Sequence, residues 1–322
     1  MAAVAAVSAS YAQVSITGSL SAATQKNLNG DKHGLAMTDN TLVVGVSEDL
    51  GGGMKLSASM VIENDTARAT NWDRGDQVVS LSTPAYVLTF ANTRSGGNQG
   101  AALVAPASLS NDQYDSAVIT REAIDVASLT VPLNAAWSVS YKYVEAKMGT
   151  AIPAAFGTAG VAITDSYAGD KNPGAITHTL GGKYSANGLT VVGQFNSSTF
   201  TDDLTFAAAS KNGGKATRLT STDLSIVYDA GFATVGLGFD SARRGKPDSD
   251  APATLFGVSV PVAKGTTIGL NYGKRDAASF AQFAAQYELS KRTNVNLSLG
   301  NDTQSGTSGT NDQYRLSLNH SF

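Results

Sequence analysis

The sequence predicts an all-β protein, a transmembrane antiparallel β-barrel of sixteen strands that forms one domain over residues 13–322. Three observations predict it. Apolar and polar side chains alternate in segment after segment, the period of a strand whose two faces meet different surroundings. Beyond the first twelve residues, no window approaches the ~20 consecutive apolar residues that a spanning helix needs. Tight turn sequences and long polar stretches interleave along the chain. In hydrocarbon every backbone polar group must be paired internally, so a chain without spanning helices can cross only as a closed barrel, whose strands alternate. A soluble sandwich also alternates, but at this size it would usually be two domains joined by a linker, and no linker is visible.

Composition points the same way. Thirty-three glycines and eight prolines favour many short strands and turns, and 15% charged beside 42% hydrophobic residues suits neither a disordered tail nor a helical membrane protein. A net charge of −3 provides no basic footprint for nucleic acid, so no nucleic-acid partner is expected. The absence of cysteine excludes disulfides, zinc–cysteine sites, iron–sulfur clusters and thiol catalysis.

Residues 1–12 are an Ala/Val run closing on Ser10-Tyr11-Ala12, read as the remainder of a signal peptide cleaved before Gln13. No Lys or Arg precedes the run, which suggests that the sequence starts inside that signal. The first strand sets Val14, Ile16, Leu20 and Ala22 against Ser15, Thr17, Ser19 and Ser21. Met54, Leu56, Ala58, Met60 and Ile62 alternate with Lys55, Ser57, Ser59 and Glu63, and Trp137, Val139, Tyr141 and Tyr143 with Ser138, Ser140 and Lys142. Ile176, Leu180 and Tyr184 repeat the pattern, as do Leu189, Val191 and Phe195, then Val295, Leu297 and Leu299. Candidate strands begin near Gln13, Thr41, Met54, Gln77, Ala85, Ala117, Ala135, Ile176, Leu189, Arg218, Phe232, Ala253, Thr266, Ser279, Thr293 and Asn311. Sixteen tilted strands of about 9 to 11 membrane residues, with their connections, use roughly this length.

Asp49–Gly53, Ala186–Gly188, Asp229–Gly231 and Val262–Gly265 read as tight turns. Lys26–Asn40, Arg94–Ser116, Met148–Ala175, Thr201–Thr217, Arg243–Pro252 and Asn301–Thr310 read as long loops. The chain ends on an alternating strand with Tyr314, Leu316, Leu318 and Phe322 on one face; a closed barrel requires it to pair with the first strand.

Catalytic and metal chemistry finds little support. His33, His178 and His320 lie far apart without metal-ligand spacing, there is no G-x-S-x-G, and the glycine pairs Gly181-Gly182 and Gly213-Gly214 lack the Lys-Ser/Thr of a phosphate loop. No enzyme activity, metal or cofactor is expected. His178 and His320 fall with apolar neighbours on outward faces, and Trp137, Tyr141, Tyr143, Tyr228, Phe239, Tyr272, Tyr287 and Phe322 could form aromatic girdles.

Three local sequences carry a family resemblance: Ser47-Glu48-Asp49-Leu50-Gly51-Gly52-Gly53-Met54-Lys55, Gln113-Tyr114-Asp115-Ser116 and His320-Ser321-Phe322. The chain resembles the trimeric general porins of Gram-negative bacteria, in particular the β-proteobacterial type. The resemblance implies an outer-membrane barrel, a homotrimer, and a third loop, here Arg94–Ser116, folded into the lumen. It also implies outer-membrane lipid and lipopolysaccharide as surroundings, and a final residue, Phe322, read by the barrel-insertion machinery. The chain departs from the pattern after Asn40, where no Arg or Gly follows, and in its 7% aromatic content. The function implied is a water-filled channel for passive diffusion of small polar solutes and ions.

In such a channel, charges on the lumen face tune selectivity. Alternation turns Lys55, Glu63, Lys142, Lys183, Asp223 and Arg315 inward, with Arg94, Asp112, Asp115, Arg121 and Glu122 bracketing the third loop. Bases exceed acids within the strand set, which predicts a weak preference for anions. Ser95–Ser110 carries no charged side chain, so selectivity should come from wall residues such as Lys142, Lys183 and Arg315. Adhesion or surface assembly through Met148–Ala175 and Thr201–Thr217 remains a second reading, and an outer-membrane hydrolase a third.

Overall fold

Each run of alternating residues forms a strand in the computed structural model, which describes residues 12–26, 33–37, 40–64, 73–95, 98–106, 122–146, 175–205, 215–241, 252–275, 278–303 and 311–322. In order the strands are β1 (Gln13–Lys26), β2 (His33–Met37), β3 (Asn40–Gly51), β4 (Met54–Asn64), β5 (Asp73–Ser82), β6 (Val87–Ser95), β7 (Glu122–Pro132), β8 (Trp137–Ala146) and β9 (Ala175–Ala186). They continue as β10 (Leu189–Thr205), β11 (Lys215–Asp229), β12 (Thr234–Asp240), β13 (Ala253–Ala263), β14 (Thr266–Arg275), β15 (Ala278–Ser290), β16 (Thr293–Thr303) and β17 (Asn311–Ser321). One short 3-10 turn, Asn98–Ala102, follows β6. Among the described residues no helix is long and apolar enough to cross a membrane.

From β3 to β17 every strand pairs antiparallel with its successor, and β1 closes the circuit by pairing with β17 on one side and β3 on the other. That makes a sixteen-stave barrel with one extra strand. The extra strand corrects the reading of Lys26–Asn40 as a single loop. Ser19 opposes Thr41 of β3, whereas Ala22 opposes Met37 of β2, a slip of one residue along the same edge of β1. β2 therefore prolongs the β3 stave past a register slip, and a slip breaks the alternation by which a strand is recognised.

The connections divide by end. At one end the chain reverses tightly, as at Asn187-Gly188, where φ values of 52° and 77° give the turn that matches strand twist in a two-residue hairpin. Asn tolerates the left-handed region because its short polar side chain can bond locally. The longer connections lie at the other end. Closure is made at the short-turn end: Gly18 N–H donates to the Phe322 carbonyl at 3.2 Å and Phe322 N–H to the Gly18 carbonyl at 3.1 Å. A Cβ at Gly18 would stand 2.5 Å from the Thr41 carbonyl oxygen and 2.7 Å from Phe322 Cζ. Gly18→Val should therefore displace the terminal ring and cost about 1–3 kcal/mol, as overpacking does. The check is the heat-dependent mobility shift of the detergent-purified barrel on gels, with the variant unfolding at lower temperature than the parent.

Register assigns every wall residue to one of two faces. Leu237, Phe239, Phe256, Leu270, Tyr272, Leu299, Leu316 and Leu318 are exposed large apolar side chains on one face. The neighbours in sequence, such as Gly236, Asp240, Asn271, Ser298 and Ser317, are buried on the other. This inverts a soluble core. Such an arrangement suits a wall with hydrocarbon outside and polar groups enclosed. Trp137 and Tyr184, 4.9 Å apart between ring centroids, lie outward near the short-turn end. His178 is also exposed on this face, with its Nδ1 2.7 Å from the Tyr141 hydroxyl, and His320 is within 3.0 Å of Thr293 Oγ1.

Candidate functional site

The enclosed face is organised in rows, because a residue and its direct cross-strand partners point the same way. One row runs Asp49, Lys55, Ser82, Val87, Thr130, Ser140, Gly181, Gln194, Asp223, Asp240, Ala253, Arg275 from β3 to β14. The next runs Ser47, Ser57, Ser80, Thr89, Ser128, Lys142, Thr179, Asn196, Ser221 from β3 to β11. Apart from its lysine and asparagine, this second row consists of hydroxyls. Its members bond sideways: Ser80 and Thr89 hydroxyls lie 2.9 Å apart, Thr179 Oγ1 donates to Asn196 Oδ1 at 2.6 Å, and Asn196 Nδ2 donates to Ser221 Oγ at 2.9 Å.

The two rows meet at Asp223. Its carboxylate, fully buried, accepts from Gln194 Nε2 at 2.7 Å and Asn196 Nδ2 at 2.9 Å, and Lys142 attracts it electrostatically. Directly opposite is a second buried carboxylate, Asp240, which is ion-paired with Arg275. Like charges as cross-strand partners repel, so the pair depends on the cations and amide donors around it.

Of the residues singled out from sequence, Lys55, Glu63, Lys142, Lys183, Asp223 and Arg315 share the enclosed parity, Lys55 and Lys183 at exposed positions and Asp223 fully buried. Arg94 pairs with Ala123 and Glu122 with Ser95, and only their backbone positions are described. Asp112, Asp115 and Arg121 lie outside the described residues, as does most of Met148–Ala175 and Thr201–Thr217, on which an adhesive role would rest; residues 201–205 and 215–217 of the second segment belong to β10 and β11 rather than to a loop. Asp240 and Arg275 escaped the sequence reading. The signal for Asp240 was its step of two from Gly236 and Gly238, an enclosed parity hidden because glycines carry no polarity. Among the described residues no group of three or more acidic or histidine side chains could hold a metal.

Residues 98–106 pack on β11, β12 and β13. They lie on the side of β12, β13 and β14 that carries Gly236, Gly257 and Gly269, opposite to Leu237, Phe256 and Leu270. Gly236 and Gly257 are direct partners, and a Cβ on either would collide with the Ala102 carbonyl; a Cβ at Gly269 would lie 2.8 Å from Ala105 Cα. Only residues without a side chain permit so close an approach. Ala105 N–H donates to Asn271 Oδ1 at 3.1 Å, and Asn271 Nδ2 donates to Gln282 Oε1 at 3.2 Å, all buried. Ala102 and Ala105 are thereby buried, while Leu103 and Val104 remain half-exposed.

Among the described residues of the outward face, four polar side chains line up on neighbouring strands. Gln77, Asn92, Asp125 and Glu145 are successive cross-strand partners on β5–β8, with Asn92 Nδ2 2.5 Å from Asp125 Oδ1 and the Tyr143 hydroxyl donating to Glu145 at 2.7 Å. They edge a concavity of about 660 Å³ whose apolar part includes Val44, Val46, Met60, Val79 and Phe90.

Comparison with known proteins gives a consistent result. A family model described as Gram-negative porin matches residues 1–307. Among solved structures, the anion-selective porin from Comamonas acidovorans superposes with a TM-score of 0.64 at 17% identity, covering 97% of this chain and 100% of that one. A triple mutant of the Rhodopseudomonas blastica porin gives 0.64 at 11% identity over 96% and 100%, and a loop-deleted form of OmpT, an outer membrane protein of Vibrio cholerae, 0.63 at 10% over 97% and 99%. No curated protein sequence matches the chain.

Proposed function

The chain belongs to the Gram-negative porin family, and from that membership we propose that it serves passive diffusion of small hydrophilic solutes and ions, with a weak lean to anions. It is a non-enzymatic outer-membrane channel. The observation that carries the reading is the inverted wall: an exposed apolar face outside a closed circuit whose inner rows are hydroxyls, amides and charges. Conduction needs only contacts weak enough to release the solute.

The lean to anions is supported by how the charges are engaged. Asp223 and Asp240 accept from Gln194, Asn196 and Arg275, whereas Lys183 and Lys55 stand at exposed inward positions, Lys55 directly across from the exposed Asp49. Glu63 and Arg315 are each engaged by neighbours. In this reading Asp112, Asp115, Arg121, Arg94 and Glu122 modulate the entrance, and residues 94–116 narrow the lumen from the glycine-lined wall. The test is the zero-current potential across a KCl gradient in planar bilayers. The parent should favour chloride, and the double variant Lys55→Glu, Lys183→Glu should reverse the sign. An unchanged potential would remove the lysines from the selectivity account.

Assembly follows the same logic. Gln77 and Asn92 lie five residues from the short-turn ends of their strands, roughly 12 Å into a band about 25 Å tall at the usual strand tilt. Polar groups at that depth are costly against lipid. Their position supports a homotrimer in which this face meets a neighbouring subunit and the apolar remainder meets outer-membrane lipid and lipopolysaccharide. Phe322, exposed beside Gly18, is the signal that the barrel-insertion machinery would read, and residues 1–12 are the signal peptide removed before Gln13.

A further inference from the structure

We propose that the pore holds a two-row track for small organic anions with an apolar flank, the alkyl and aryl carboxylates; this rests on the channel reading above and names a solute class for it. Val78, Ala91, Val126 and Val144 are direct cross-strand partners on β5, β6, β7 and β8, on the same parity as the inward hydroxyl row. They make an uninterrupted apolar row about 14 Å long at the usual strand spacing. Strand parity puts all four side chains on the enclosed face, and each residue is half-exposed. A water-filled wall has no packing need for such a row, because its inner face is ordinarily polar.

The hydroxyl row runs parallel to it, two residues away along each strand and thus ~7 Å distant. Lys142 stands in that row beside Val144 on β8, flanked by its partners Ser128 and Thr179. A carboxylate on Lys142 would take charge-assisted hydrogen bonds from the ammonium and a further bond from a flanking hydroxyl. Its hydrocarbon part would then reach across the ~7 Å to the valines. Chloride can use only the lower row, and a sugar has nothing to place on the upper one. Residues 98–106 add half-exposed Leu103 and Val104 and no charge that would compete for the carboxylate.

The measurement is the reduction of single-channel chloride conductance by added benzoate or acetate, each normalised to the channel's own chloride conductance. Benzoate should half-saturate the effect at about tenfold lower concentration than acetate, the factor that covering roughly 55 Å² of apolar surface supplies. Val126→Thr with Val144→Thr should bring benzoate to the acetate value, and Val78→Thr should narrow the gap if the double variant fails to assemble. Lys142→Gln should weaken both anions by a common factor and preserve their ratio. Equal behaviour of the two anions in the parent would overturn the inference, as would a benzoate advantage that survives the threonine substitutions. A folded protein with no chloride conductance would defeat the channel reading itself, and this inference with it.

Discussion

Gly257→Val should release residues 98–106 from the wall and raise the single-channel conductance. The added side chain would run into the Ala102 carbonyl and stand 2.7 Å from Val104 N and 3.0 Å from Asn271 Oδ1. Two of these are backbone atoms, which cannot move aside by a change of rotamer, so the segment must move as a body or leave. Overpacking of this kind costs about 1–3 kcal/mol. Set against docking, that shifts the docked-to-undocked ratio roughly 5- to 150-fold. Asn271→Ala acts on the same anchor from its polar side, leaving the buried Ala105 N–H without its acceptor at a cost of about 1–3 kcal/mol. Both variants should admit larger neutral polymers than the parent, read as the polymer size at which conductance is no longer reduced. Unchanged exclusion in both would mean that the glycine-lined wall does not position a constriction.

Arg275→Met should be the most destabilising of the wall substitutions. It would remove the ion-paired guanidinium from Asp240, fully buried and directly across from Asp223, also fully buried. Removing one partner of a buried ion pair typically costs about 3–5 kcal/mol, because the other charge stays behind uncompensated. Thermal or denaturant unfolding of the barrel in detergent reads the loss. Asp240→Asn added to Arg275→Met should recover most of it, since the carboxylate charge that Arg275 balanced and its repulsion of Asp223 disappear together. A double variant as unstable as the single one would place the cost in Arg275 packing rather than in charge.

The staves were legible because a strand between two different solvents alternates over most of its length, and this wall has lipid-like surroundings on one side and largely polar groups on the other. Leu316 and Leu318 share one face from spacing alone, and the same alternation is the basis for expecting Lys55, Lys142, Lys183, Asp223 and Arg315 on the other. Rows, by contrast, are set by register between strands. Val126 and Val144 become neighbours only when the turn at Leu133–Trp137 fixes the pairing, with Leu133 N–H bonded to the Trp137 carbonyl at 2.8 Å. The Asp240–Arg275 pair joins β12 to β14 across an intervening strand, and no local pattern announces it. Gly236 and Gly257 were opaque for another reason: a missing side chain acquires meaning only once another segment is known to lie there.

Single-channel recording on the purified, folded protein in planar bilayers tests the central claim most directly. The account predicts discrete conductance steps in KCl, roughly proportional to salt concentration, with chloride favoured in the zero-current potential. Protein that shows the heat-dependent mobility shift of a folded barrel, inserts into the bilayer and produces no discrete steps would contradict it.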